Sequence, residues 1–354
     1  MIEKQLKKWF STQLLDWHAT QNKRTMPWKG IKDPYRIWLS EIILQQTRVQ
    51  QGLDYYRRFT EKFPNIHALA AADETLIFKL WEGLGYYSRC RNLIITAKYI
   101  SKELGGQFPQ TQEGLLALKG VGNYTAAAIG SFAFGLPLAV VDGNVMRVLS
   151  RFLGIKEPID QPAGKKIFEQ HAAEMLGKAD PALYNQAIMD LGTTICKPQQ
   201  PDCQDCPLRK KCHAHAHDTQ SHFPIKLKKI LQKNRFIHYL LVEADGSMLV
   251  RQRKGKDIWQ DLYEFVLIEK DEPADEADLK KAGFWGGSRQ KQTIIDISGP
   301  FIHQLTHQKI HARFVHVKLE KKIPWEGYEW MEFKKIKSLA FPRLISRYLD
   351  RHFM

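Results

Sequence analysis

A chain of 354 residues is long enough to bury a sizeable core and to form two or three domains. Its 53 Lys and Arg against 38 Asp and Glu give a formal net charge of +15, so a polyanion such as nucleic acid is the first partner to consider. No apolar run approaches the ~20 residues that span a bilayer, and the opening residues do not read as a secretory leader, so none is expected; no membrane partner is expected, and the expected location is the cytoplasm, nucleoid-associated if the source is bacterial.

The opening "MIEKQLKKWFSTQLLDWH" reads as an amphipathic helix with lysines on one side and Trp9, Phe10 and Leu14 turned to a core. "DPYRIWLSEIILQQTRVQQGLDYYRRF" then begins with Asp33 as N-cap and Pro34 at the first helical position. Ile37, Ile42, Val49, Leu53 and Tyr56 recur along it at helical spacing. Further helices are expected over 74–81, 88–104, 113–119, 123–134, 144–153, 162–176 and 181–194, with Gly, Pro, Asn and Asp at the joins. Residues 1–213 thus form a helical region that includes a cysteine loop at 196–212. The polar, basic stretch 214–233 reads as a connector, and its "HAHAH" start as solvated linker rather than a metal site. From 234 to 354 the pattern is α+β: strands in "FIHYLLVEA", "SMLVRQR", "YEFVLIE" and "IHARFVHVKLE", with short helices near 274–282 and 342–350.

Of five cysteines, Cys90 stands alone and reads as a packing residue. The others, Cys196, Cys203, Cys206 and Cys212, follow the spacing C-x6-C-x2-C-x5-C. Four thiolates in so short a loop can wrap one site, and by ligand type alone zinc and an iron–sulfur cluster both fit. In "LKGVGNYTAAAIGSF", Gly120 and Gly122 allow positive φ and close backbone approach between two helices. The free amides at the second helix's start favour phosphate, with Lys119 beside them. G-x-G alone also describes an ordinary helical hairpin. Glu41 lies among Leu39, Ile42 and Ile43. Either it is desolvated, with a raised pKa and a proton to give, or it sits on a solvated face. Asp142 precedes a helix starting near Asn144 and reads as its N-cap.

Hairpin, aspartate and cysteine loop, in that order, resemble the endonuclease III superfamily of helix-hairpin-helix DNA glycosylases. "RTMPWKGIKDPYRIWLSEIILQQTRV" and "PLAVVDGNVMRVLSR" are similar to the MutY-type adenine DNA glycosylases, a resemblance covering nearly the whole chain. It implies a mainly α catalytic region of the helix-hairpin-helix glycosylase fold, a C-terminal α+β Nudix-like domain, and one [4Fe–4S] cluster on the four cysteines. The implied activity is base excision repair: monofunctional removal of adenine mispaired with 8-oxoguanine or guanine in double-stranded DNA. A monomer is expected. Glu41 would protonate N7 of a flipped adenine, Asp142 would stabilise the oxocarbenium ion, and Asn144 would lie near sugar and water. Lyase members of the superfamily carry a lysine two residues after the second hairpin glycine. Here that position is Tyr124, whose phenol cannot form the imine, so no dedicated lyase step is implied. Tyr124 would instead shape the site near the sugar. Arg24, Met26, Trp28 and Gln186 would line the adenine pocket. Gln46, Thr47 and Tyr86 would meet the duplex near the lesion, and Lys119, Gly120, Val121 and Gly122 its backbone.

"DIWQDLYEFVLIE" is similar to the family's W-x-G-L-W-E-F stretch, and "HQLTH" stands where its H-x-F-S-H loop probes 8-oxoguanine. Leu305, Thr306 and His307 are therefore the recognition candidates. Thr306 keeps a hydroxyl for a purine edge, while Leu305 replaces an aromatic and removes its stacking. "DEPADEADLKKAGF" does not reproduce the Arg- and Glu-rich helix of a Nudix hydrolase, so pyrophosphate hydrolysis is not expected. Two rival readings are a glycosylase/lyase for oxidised pyrimidines and a noncatalytic iron–sulfur DNA-binding protein. Tyr124 and the added domain argue against the first, Glu41 and Asp142 against the second.

Overall fold

The computed structural model describes residues 2–227, 232–280 and 292–353. By contacts the chain divides into two units, Met1–Ala71 with Asn92–Lys228, and Ala72–Arg91 with Lys229–Met354.

The first unit opens with α1 (Lys4–Thr20), which turns Phe10, Leu14 and Trp17 inward. Asp33 caps α2 (Pro34–Leu44) by accepting from the Tyr35 and Arg36 amides, with Pro34 at its first turn. The expected periodicity runs on, but the helix does not: Gln46 takes φ +56, and α3 (Val49–Lys62) starts afresh behind extended Arg48. Then come α4 (Ile66–Ala71), α5 (Glu74–Trp81), α6 (Ser88–Glu103), α7 (Gln112–Leu116) and α8 (Asn123–Phe134). Of these, α5 and the opening turn of α6 group with the second unit. The helical series ends with α9 (Gly143–Leu153), α10 (Pro162–Leu176), α11 (Pro181–Thr194) and the single turn α12 (His213–Ala216).

Phe10, Leu14 and Trp17 pack with Val148, Phe152, Phe168, Tyr184 and Leu191 in one core drawn from α1, α9, α10 and α11. Full burial of a side chain such as Leu14 stabilises the fold by roughly 1.5–3 kcal/mol. α2 is buried on nearly all sides, with eight of its eleven residues inaccessible, because it packs on both α3 and α8. That enclosure places Glu41.

The stretch from 213 onward corrects the linker reading. Ala214 and Phe223 are buried, the His213 ring lies against Phe223, and the Ile159 amide donates to the Ile225 carbonyl. Apolar positions hidden among polar neighbours anchor this segment to the helical unit. Residues 228–231 of the expected connector lie outside the described residues.

In the second unit, β1 (Lys233–Ala244), β2 (Ser247–Gln252), β3 (Tyr263–Glu264) and β4 (Val266–Lys270) precede α13 (Glu276–Lys280). Of the helix expected near 274–282, residues 281 and 282 lie outside the described residues. Then follow β5 (Gln292–Gln304), β6 (Gln308–Leu319), β7 (Glu329–Glu332), α14 (Phe333–Ile336) and α15 (Arg343–His352). The sheet is mixed, in the order β3-β2-β1-β6-β5, with β4 on β1 and β7 on β2. β1 and β6 run parallel from Lys233↔Gln308 to Glu243↔Lys318; the other pairings are antiparallel. β5 was not among the expected strands; it carries bulges between Ile294 and Asp296 and between Ser298 and Phe301. Tyr348 of α15 stacks on Phe314 of β6 at 4.0 Å.

Candidate active site

α2, α8, α9 and α11 surround a cavity of about 470 Å³ within the first unit, a volume in the range of small-molecule sites. Glu41, Tyr124, Asp142 and Asn144 all line it, with Arg24, Met26, Trp28, Thr47 and Gln186. Residues far apart in sequence are thus brought together largely as expected. Gln46 is exposed at the turn after α2 and does not line the cavity.

Glu41 is 6% exposed. Burial pushes its carboxyl pKa up to about 7; a hydrogen bond from Tyr124 pulls it down and the Asp142 charge adds to the rise. The site therefore holds a proton on Glu41 near neutral pH. Tyr124 is itself pushed up, by burial first and then by Glu41 and Asp142, so its phenol stays neutral. Its hydroxyl also stands 3.9 Å from the Met189 sulfur.

Asp142 is the N-cap of α9. Its Oδ1 accepts from the Val145 amide at 2.7 Å and its Oδ2 from Asn144 Nδ2 at 2.7 Å. Two donors fix the carboxylate while it borders the cavity. Behind it, buried Arg147 donates to Asn144 Oδ1 (2.8 Å), the Gly192 carbonyl (2.6 Å) and the Cys196 carbonyl (2.8 Å). The turn bearing Asp142 is thereby tied to the start of the cysteine loop.

Sequence reasoning missed Asp190, which organises the pocket from below. It is fully buried and accepts from Asn22 (2.7 Å), Arg24 (2.7 Å), Lys29 (3.0 Å) and Gln186 (3.0 Å), with His18 Nε2 at 3.6 Å. Burial alone would raise its pKa, but the bonds from His18, Asn22, Lys29 and Arg24 win and hold it well below the usual carboxylate range. Asp190 sits four residues after Gln186 on α11, so an i, i+4 pair was the available signal. Trp28 lines the cavity and also belongs to the core, its ring packing edge-on against Tyr56 at 5.0 Å.

The α7–α8 hairpin departs from expectation at one glycine. Gly120 has φ +80, and an added Cβ would stand 2.7 Å from the Asn92 Cβ. Gly122 instead has φ −104 as the N-cap of α8, and an added Cβ would meet nothing within 4 Å. Its lack of a side chain leaves the α8 amides open to approach from outside. Val121 is buried, while Lys119, Gly120 and Gly122 are exposed.

Cys196, Cys203, Cys206 and Cys212 are free and border a separate cavity of about 30 Å³ with Arg151 and His215. Burial, followed by the influence of neighbouring cysteines, raises the Cys203 thiol; burial first also raises Cys206, to about 12, and Cys212. His215 Nδ1 is buried without a partner. Among the described residues the sulfurs are not drawn into a single-ion ligand set. Half-buried thiols lining one small space, beside a guanidinium and an orphaned ring nitrogen, fit a bulkier group of net negative charge.

In the second unit, Leu305, Thr306 and His307 form the β5–β6 turn, closed by the Leu305 amide on the Gln308 carbonyl at 2.8 Å. Tyr86, before α6, belongs to the same unit. It takes φ +48, lies beside the Arg89 guanidinium at 5.7 Å, and its hydroxyl pairs with Thr306 Oγ1 at 2.7 Å.

Residues 39–176 match the model of the HhH-GPD superfamily of base excision DNA repair proteins, and residues 238–351 match the NUDIX domain. The adenine DNA glycosylase of Buchnera aphidicola from Schizaphis graminum is 31% identical over 96% of this chain and 98% of its own length. That of Rattus norvegicus is 31% identical over 94% of this chain and 75% of its own. A solved thermostable thymine-DNA glycosylase is similar with TM-score 0.56 and 28% identity over 60% of this chain and 98% of that one. An endonuclease III in a non-covalent DNA complex gives 0.53 at 21% identity, over 62% and 100%, and shares the fold.

Proposed function

Since the chain belongs to the adenine DNA glycosylases of the HhH-GPD base excision repair superfamily, we propose that it hydrolyses the N-glycosidic bond of adenine mispaired with 8-oxoguanine or guanine. The observation that carries this reading is Glu41: a buried carboxyl, raised to about 7, on the same cavity as capped Asp142.

A flipped adenine enters the cavity between the Glu41 wall and the Asp190-held groups. Arg24 and Gln186 present hydrogen-bonding groups to the base; their orientation comes from Asp190. Glu41 donates its proton to N7, which withdraws electrons from the glycosidic bond. As the bond breaks, positive charge develops on the deoxyribose, and ionised Asp142, held by two donors, stabilises it. Asn144 lies beside Asp142 to orient the water that completes hydrolysis. Tyr124 supplies a neutral hydroxyl rather than an amine, so the sugar forms no imine and the strand stays intact.

The duplex backbone meets the open α8 amides at Gly122 with Lys119 alongside. The Leu305–His307 turn reads the base opposite, Thr306 by its hydroxyl. Cys196, Cys203, Cys206 and Cys212 would hold one [4Fe–4S] cluster, which would cross-link the loop and supply a redox-active centre. Around it Lys197, Arg209, Lys210 and Lys211 offer charge to a backbone.

The test is incubation with duplexes carrying adenine opposite 8-oxoguanine, guanine or thymine, measuring free adenine and strand breaks before and after alkali. Adenine release from the first two, with breaks only after alkali, is expected. Breaks without alkali would reject the monofunctional reading, and no release with an intact fold would favour a noncatalytic DNA-binding protein.

A further inference from the structure

α9 carries a second buried arginine that the excision mechanism does not use. Arg151 is 2% exposed, and among the described residues it pairs with no carboxylate. Its Nε donates to the Gln220 and Phe223 carbonyls at 3.0 and 3.3 Å. One terminal nitrogen reaches the Cys196 sulfur at 3.4 Å and the Lys197 carbonyl at 2.7 Å, and the other the Pro198 carbonyl at 3.0 Å. On its backbone side, the Cys212 sulfur stands 3.5 Å from the Arg151 carbonyl. One residue thus touches the first cysteine with its side chain and the last with its backbone carbonyl, and its fork joins the start of their loop to the chain that follows it.

A guanidinium buried without a carboxylate needs another source of negative charge. Neutral thiols do not provide it. Four thiolates around an iron–sulfur core do, because the assembly carries net negative charge.

We infer that Arg151 is the positioning residue of the iron–sulfur loop: its fork ties the start of the loop at Cys196–Pro198 to the segment at Gln220–Phe223 that follows it, and its charge against Cys196 sets the reduction potential of the cluster. The inference rests on the cluster assigned to these cysteines above. Hydrogen bonds and cations at ligand sulfurs favour the more electron-rich state of a cluster, so this contact raises the potential. Clamping the start of the loop to the following segment also slows escape of the metal, since release requires the loop to open.

The experiment uses full-length protein purified without oxygen, with iron and acid-labile sulfide measured first. R151Q and R151K are then compared with the parent for reduction potential on an electrode and for the rate of cluster bleaching under an iron chelator. R151Q, lacking the charge and most of the fork, is expected to shift to a more negative potential and to bleach about tenfold faster or more. R151K keeps the cation but not the fork; its potential should stay nearer the parent's while bleaching still accelerates. Parental potential and parental bleaching in R151Q would overturn the inference. Should R151Q not fold, R151K decides: bleaching at the parental rate overturns the clamp. A parent lacking iron and sulfide, or holding zinc, would instead overturn the cluster assignment, and Arg151's role with it.

Discussion

Glu41→Gln is expected to abolish base release and at the same time to stabilise the fold, the second effect growing with pH. The Glu41 carboxyl is pushed from 4.5 to about 7, first by burial within α2, with the Asp142 charge adding to it against the Tyr124 hydrogen bond. A folded-state pKa above the unfolded value means the native protein binds the extra proton. The stability this contributes is complete below about 4.5 and is lost as pH rises through about 7. At about 1.4 kcal/mol per pH unit, the full loss is about 3 kcal/mol. Glutamine is neutral throughout and escapes it. Urea unfolding of parent and variant at about pH 5 and about pH 8.5 should show the variant gaining about 2–3 kcal/mol on the parent between the two. Excision under single-turnover conditions supplies the other half. In the parent, the rate should fall about tenfold per pH unit above about 7 as the acid form is lost. The variant should lose at least about a hundredfold at every pH while still binding duplex. A stability difference that does not change with pH would refute the buried-acid argument, and retained excision would refute the role of Glu41.

Asp142→Asn keeps a good N-cap, so unfolding should move by less than about 0.5 kcal/mol, whereas adenine release should fall by about a hundredfold or more for want of the charge. Tyr124→Phe removes the hydrogen bond that lowers the Glu41 pKa; the alkaline limb of the rate profile should move to higher pH, and a limb that moves down contradicts the assignment. Asp190→Asn leaves Arg24 and Lys29 without their counter-charge and should destabilise the protein by about 3 kcal/mol, with weaker binding of adenine-containing duplex measured alongside. Tyr86→Phe deletes the hydroxyl pair with Thr306; the preference for adenine opposite 8-oxoguanine over guanine should change by about fivefold with thermal unfolding unaltered, and an unchanged ratio would separate Tyr86 from lesion reading.

What this sequence determined by itself was local. Asp33 and Asp142 announce helix starts because a cap acts over three residues, and the structure finds each accepting from the amides of its helix's first turn. The cysteine spacing and the hairpin glycines are equally short-range. The tertiary structure decided what periodicity cannot carry. α2 is apolar nearly all round, so no moment could say that Glu41 faces a cavity; α3 and α8 closing over it did. Apart from Gln186, Asp190 draws its partners from residues 18 to 29, more than a hundred and fifty positions away, and reads in sequence as one more acid on a helix. Arg147 and Arg151 find their partners in the cysteine loop only once α9 packs against it. Tyr86 meets Thr306 only because residues 72–91 fold with the C-terminal sheet. Capping and turn chemistry are settled by the nearest few residues, whereas burial, counter-charge and desolvation belong to the whole packed unit and appear only when distant segments share a site.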